Sequence, residues 1–249
     1  MIEAIKALLP YPVRQCLSRA NLTLMRIRNG MRSTEDVFDE IYAKNEWGGV
    51  PGQINSGSGS RGKAAELYIQ TINSFITRYG IKSIVDIGCG DFYIAHQILD
   101  LVGPGVSYIG LDVARIVVET NNRRFARNGV AFHWVNAVTD ELPAADLCLV
   151  RQVFQHLSNK QISAILTKLS HYKWAIITEH YPSQAHFKAF NLDKPQGSDT
   201  RLFDGSAVYL DRPPFNLRNI SLLAHVDLDA ADCIRTWLVP TYVSASISA

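Results

Sequence analysis

Asp86, Gly88, Gly90 and Asp91 fall within one short stretch, Ser83-Ile84-Val85-Asp86-Ile87-Gly88-Cys89-Gly90-Asp91. The two glycines lack a Cβ, so a ligand can approach their backbone closely. A dinucleotide fingerprint needs a third glycine three residues after the second, and Tyr93 stands there instead. Carboxylates repel a pyrophosphate but suit a cationic ligand that carries an amino group. Taken as structure alone, the same glycines make an ordinary turn. Asp112 follows Asp86 by 26 residues. At the end of a strand its carboxylate accepts both hydroxyls of a ribose, or else it caps the next helix. Farther along, His156 and His180 bring imidazoles, which exchange protons near neutral pH, and Glu179 sets a carboxylate next to His180 in the chain.

These residues need elements to hold them. Ser83 to Ile87 is a short apolar run that reads as a strand buried on both faces, and a helical pattern follows from Tyr93. Strand two is Ser107 to Asp112, strand three Val130 to Val135, strand four Asp146 to Val150 and strand five Trp174 to Thr178. Helices alternate with them; one starts at the N-cap Ser158 and another at Ser60, the latter closing at Gly80. Ser221 to Leu228 and Ile234 to Val239 read as an antiparallel hairpin around Asp229-Ala230-Ala231-Asp232. The order predicts an α/β fold: a Rossmann-like, seven-stranded, mostly parallel sheet with an antiparallel C-terminal hairpin and helices on both faces.

Residues 1–60 form an N-terminal helical segment and a Gly/Ser-rich loop, and residues 61–249 the main domain. The loop, 48–60, reads either as a flexible linker or as a lid over a ligand. Residues 181–216 are an insertion on the ligand-binding edge, polar and rich in proline. Tyr181, Phe187, Phe190, Phe203 and Tyr209 are available there to cover sugar faces.

An apolar fraction of 47% and a charged fraction of 19% are ordinary for a folded chain. Net charge is +2, which lacks the basic footprint of a nucleic-acid binder. The charge is uneven. Residues 1–32 hold Lys6, Arg14, Arg19, Arg26, Arg28 and Arg32 against Glu3 alone, a local +5. That segment reads as short helical pieces packed on the domain, or as a surface for anionic lipid or an acidic partner. Its apolar part is too short for a signal peptide or membrane span, and the four cysteines form no CxxC pair, so a cytoplasmic protein without a zinc site is expected.

The stretch from Val85 to Asp91, with Tyr108 to Val113, Asn136, Asp140 to Pro143, Ala145 to Ser158 and the closing hairpin, resembles the class I S-adenosylmethionine (SAM) methyltransferases. Phe38 to Tyr42, Trp47-Gly48-Gly49, the Ser56 to Ser60 run and Arg212 to Leu217 resemble a bacterial subgroup that accompanies glycan and secondary-metabolite pathways. The resemblance implies a SAM site made by Asp86, Gly88, Cys89, Gly90, Asp91, Asp112, Val113, Asn136, Ala137 and Arg151, with Asn136 and Ala137 near the adenine. It also implies methyl transfer, with a hydroxyl of a small polar or glycan-like molecule as acceptor. His180 and His156 are the candidate bases. Glu179 is itself a base, orients His180, or ligates a metal with Asp193, the last without a compact ligand motif behind it. The rival readings are N-methylation, nucleic-acid methylation, or a SAM-binding protein that transfers nothing. No Asn/Asp-Pro-Pro-Tyr/Phe motif follows strand four, where Arg151-Gln152-Val153-Phe154 stands.

Overall fold

The computed structural model describes residues 11–50, 52–228 and 231–241, with the side chains of 11–16 left aside. The expected turn at Asp229 and Ala230 and the first ten residues of the basic segment lie outside the described residues.

Seven strands form one sheet: β1 (Ser83–Ile87), β2 (Ser107–Asp112), β3 (Val130–Trp134), β4 (Leu147–Arg151), β5 (Trp174–Tyr181), β6 (Ser221–Asp227) and β7 (Cys233–Val239). Their spatial order is β3-β2-β1-β4-β5-β7-β6. The first five run parallel, and β7 is antiparallel to both β5 and β6. The fold class read from the sequence is the fold observed. The chain leaves β1 toward β2 on one side and returns to place β4 on the other. Ligands of open α/β sheets bind at that reversal, beyond the strands' C-terminal ends.

Helices α1 (Tyr11–Gly30), α2 (Thr34–Ala43), α3 (Lys63–Tyr79), α4 (Tyr93–Val102), α5 (Arg115–Phe125) and α6 (Asn159–Leu169) surround the sheet. Side chains on a strand alternate between faces. Val85 and Ile87 therefore join Phe38 and Ile41 of α2, Val117 of α5 and Ile162 of α6 in one core. Ile84 faces the other core, with Ile72 and Phe75 of α3 and Ile98 of α4.

The structure moves several boundaries. The start of the chain is not a set of short pieces over its described part: 11–30 is one helix. Ser60 does not cap α3. It sits in a 3-10 turn, Ser58–Ser60, and its hydroxyl donates to Gly57 O, while α3 begins three residues later behind Gly62. Ser33 caps α2, accepting from Asp36 N at 3.1 Å. Ser158 caps α6 as expected, in a full capping box with Gln161. Strand β5 runs three residues past Thr178 and takes Glu179 and His180 into the sheet.

Candidate active site

A cavity of about 420 Å³ opens where the C-terminal ends of β1, β2 and β4 meet. Gly88, with φ +71, turns the chain under it, and Gly88 N and Cys89 N both donate to Leu111 O at the end of β2. A Cβ on Gly88 would meet Val153 Cγ2 at 2.4 Å, so the chain after β4 can lie over this turn only because the residue is glycine.

Three carboxylates ring the turn. Asp112 accepts from Gly90 N at 3.1 Å and from Ala114 N at 2.9 Å, which ties the ends of β1 and β2 together. Burial pushes it up to about 6 despite those bonds. Asp86 faces the α3 side and accepts from Tyr108 Oη at 2.9 Å; burial pushes it up to about 7, against the pull of the Tyr108 bond and of Arg151. Asp91 accepts from Arg61 Nη2 at 2.9 Å and from Tyr93 N at 3.2 Å, at the start of α4.

Val113, Val135, Ala137 and Val138, with Phe38 and Leu157, give the cavity an apolar lining next to Asp112. Asn136 stands at its edge, donating to Glu35 Oε1 at 2.8 Å and accepting from Val138 N at 3.0 Å. Arg151 closes the far side. Its Nη2 donates to Gly59 O at 2.6 Å, its guanidinium lies 5.0 Å from the Tyr68 ring centroid, and its Nε is buried without a partner among the described residues.

The roof comes from three distant segments. Residues 56–61 are no free linker, since they line the cavity. Ser56 Oγ accepts from Asp91 N at 2.7 Å. Trp47 packs edge-on against Tyr42, ring centroids 5.0 Å apart, lies equally close to His156, and donates from Nε1 to Ser198 O in the insertion. Ser198 and Thr200 complete the wall. The aromatics expected to cover a sugar do not line this cavity. Tyr181 is buried with its hydroxyl on Val208 O, Phe187, Phe190 and Tyr209 pack on one another, and Phe203 faces solvent.

Both candidate imidazoles line the cavity. His156 Nδ1 lies 3.2 Å from Gly197 O and Nε2 3.3 Å from Gln155 Nε2. A carbonyl only accepts, so Nδ1 carries the proton and Nε2 takes the Gln155 amide. Burial, with Lys194 nearby, lowers His156 to about 4. His180 Nε2 has no hydrogen-bond partner among the described residues and lies 3.7 Å from Asp232 Oδ2. Burial lowers its pKa and Asp232 opposes the shift.

Glu179 does not orient His180. Strand neighbours point to opposite faces, and Glu179 accepts from Phe154 N at 2.9 Å and Gln155 N at 3.1 Å, outside the cavity lining. Burial pushes its pKa up to about 8. It fastens the turn that carries Val153 and His156. Nor does it meet Asp193, which caps Asn159 N; no group of metal-ligating side chains occurs among the described residues. Asp232 takes the place beside His180 that the sequence reading gave to Glu179. Its Oδ1 accepts from Ser183 N at 2.7 Å. Trp47, Tyr42, Tyr68 and Arg61 also enter the site. For Arg61 the adjoining Gly/Ser run is a sequence signal; Asp232 has none, because only the pairing of β7 with β5 brings it near.

Residues 85–172 match the family described as "methyltransferase domain". The match, to a methyltransferase domain, covers about a third of the chain. A domain of that family implies S-adenosylmethionine as the cofactor. The chain shares its fold with human N-acetylserotonin methyltransferase in complex with SAM, at a TM-score of 0.50 and 14% identity over 84% of this chain and 60% of that one. EvdMO1 gives a TM-score of 0.52 and 15% identity over 88% of this chain. The chain thus spans only 60% and 51% of those two. No curated protein matches it in sequence.

The residues present fit the cofactor. Asp86 and Asp112 both line the cavity and neither has a cation bonded to it among the described residues, so their oxygens can accept from a ligand's amino group or hydroxyls. The lining next to Asp112 is apolar, which suits the flat face of a base. Among the described residues, no helix is long and apolar enough to cross a membrane.

Proposed function

We propose that this methyltransferase acts on a hydroxyl of a small polar or glycan-like acceptor, with His180 as the base. When bound, SAM supplies an electrophilic methyl group on a sulfonium. The chain's own task is to align the acceptor, exclude water and receive one proton. Asp86, Asp91, Asp112 and the Gly88–Gly90 turn would hold the cofactor, with Arg151 at its methionine end and Asn136 and Ala137 at its adenine.

One observation carries the choice of base. Both ring nitrogens of His156 are hydrogen-bonded within the protein, whereas neither ring nitrogen of His180 makes a hydrogen bond among the described residues, so its Nδ1 is left for an acceptor. Asp232 beside Nε2 favours the proton on that nitrogen and leaves Nδ1 as the proton acceptor. His180 takes the hydroxyl proton as the acceptor oxygen bonds the methyl carbon. Lowered by burial, the imidazole is neutral at pH 7. Ala64, Leu228 and Ile234 form an apolar wall of the same cavity, and Ser198 and Thr200 a polar one. They suit a hydroxylated molecule with one hydrophobic face.

The test is an acceptor screen with methyl-labelled SAM, then His180→Ala on the best acceptor. We expect kcat to fall about 10²–10⁴-fold with SAM affinity nearly unchanged. Transfer to amines alone would replace the hydroxyl reading with N-methylation. Full activity in His180→Ala, with loss in His156→Ala, would move the role to His156.

A further inference from the structure

We infer that the outer face of α1 is a docking surface for an anionic lipid bilayer. Leu17, Leu24, Ile27 and, just past the helix end, Met31 are exposed by 41%, 64%, 56% and 78%. At 100° per residue these four fall within one quarter of the helix circumference, so they form one apolar stripe.

The opposite side of α1 is already occupied. Arg26 donates to Asp199 Oδ2 and to both oxygens of Asp204, at 2.6–3.2 Å. Asn29 is buried, and Gln196 Nε2 donates to its carbonyl. The helix therefore cannot roll its apolar stripe inward without breaking a part-buried ion cluster.

Charge decides what covers the stripe. Between Glu3 and Glu35 the sequence holds six basic residues, Lys6, Arg14, Arg19, Arg26, Arg28 and Arg32, and no acidic one. Pairing this helix with a second copy of itself would bring like charges together in either direction. An anionic bilayer takes the apolar stripe into its headgroup region and the basic flanks against its surface charge. Arg26 is engaged inside the protein, and Arg28 and Arg32 share Glu40. Arg28 stands beside the stripe with its side chain 53% exposed, and Glu40 is shared by Arg28, Arg32 and Lys44, so this edge keeps a net positive charge and Arg28 is the flank residue to test.

The experiment is flotation of the full chain with vesicles of phosphatidylcholine alone or with about one-third phosphatidylglycerol. Binding is expected only to the anionic vesicles, with most of it lost as salt rises from ~0.05 to ~0.5 M. Arg28→Ala should weaken binding about fivefold. Leu24→Glu with Ile27→Glu should abolish it. These positions are exposed, so the melting temperature should stay within about 2 °C of the parent protein. Equal binding by the Leu24/Ile27 variant, or no binding to anionic vesicles at all, overturns the proposal. A dimer in solution that this variant dissolves, or an acidic protein held in place of vesicles, overturns it as well.

Discussion

The floor and the roof of the cavity are built by different means. The floor is backbone: Gly88, Cys89 and Gly90 are fixed by bonds to Leu111 and Asp112 from the adjoining strand. The roof is side chains that reach across the chain. Arg26 meets Asp199 over 173 residues, Trp47 meets Ser198 over 151, and Arg151 meets Gly59 over 92. A floor made by sheet register moves only if the sheet opens. A roof made by separate docking contacts can loosen one contact at a time, as a lid over a ligand requires.

The first way to break that contrast is at Trp47, where the roof is most concentrated. Trp47→Ala removes its packing on Tyr42, Phe38 and His156 and its bond to Ser198. Because the ring is only partly buried, a loss of about 2–3 kcal/mol is expected, below the range for fully buried aromatics. Chemical denaturation measures it. If the roof is separable, acceptor KM should rise more than SAM affinity falls. Equal losses in both would show floor and roof to be one unit.

Asp112→Ala probes the floor. Removing the carboxylate should weaken SAM by about 1–3 kcal/mol, since ribose hydroxyls lose a charged acceptor and Gly90 N and Ala114 N lose theirs. Calorimetry with SAM and its demethylated product reads this directly. Unchanged affinity would remove Asp112 from the cofactor site.

The same division governs what the sequence discloses. Ser83–Ile87 with Gly88 and Gly90 is legible because strand, turn and helix are neighbours in the chain and each has its own local pattern. The capping box at Ser158 is legible for the same reason. The pairing of Glu179 with His180 went astray because β5 was read as ending at Thr178. Beyond the end of a strand, adjacent residues are free to converge; inside one they cannot. Once β5 extends to Tyr181, Glu179 and Tyr181 share one face and His180 takes the other. The insertion's aromatics misled in a related way. Their composition suits a sugar, but Phe187, Phe190 and Tyr209 satisfy one another, and the cavity draws its rings from Phe38, Tyr42, Trp47 and Tyr68. Asp232 was illegible because its role exists only through the β5–β7 register, in which His180 pairs with Ile234.

Asp232 gives the third test, by pH. A general base works when neutral, so activity should hold above the His180 pKa and fall as pH drops through it. Burial places that pKa below the ordinary value of 6.5. Asp232 raises it against the larger lowering by burial, so Asp232→Asn should move the acid limb to still lower pH, by up to about one unit, and lower kcat by about tenfold. A limb that stays in place would show that His180 is not the group titrating.

The smallest expected effect is at Gly59, and it tests whether the roof loosens contact by contact. An added Cβ would lie 2.2 Å from Gln152 Oε1. Gly59 is not among the glycines with positive φ, so its backbone tolerates alanine. The obstructing atom is the far end of a flexible side chain, which can swing aside. Gly59→Ala should therefore cost at most about 1 kcal/mol of stability. The swing nevertheless removes the contact of Arg151 Nη1 with Gln152 Oε1, at 3.4 Å, and crowds the bond from Arg151 Nη2 to Gly59 O. Amides of residues 56–60 should then exchange faster with solvent, while those of β1 and β4 keep their protection. Adding SAM should restore part of the loss if the loop closes over the cofactor. Were protection in 56–60 to match the parent protein with and without SAM, Arg151 would not be the latch, and the loop would be held by Ser56 and Arg61 on Asp91 alone.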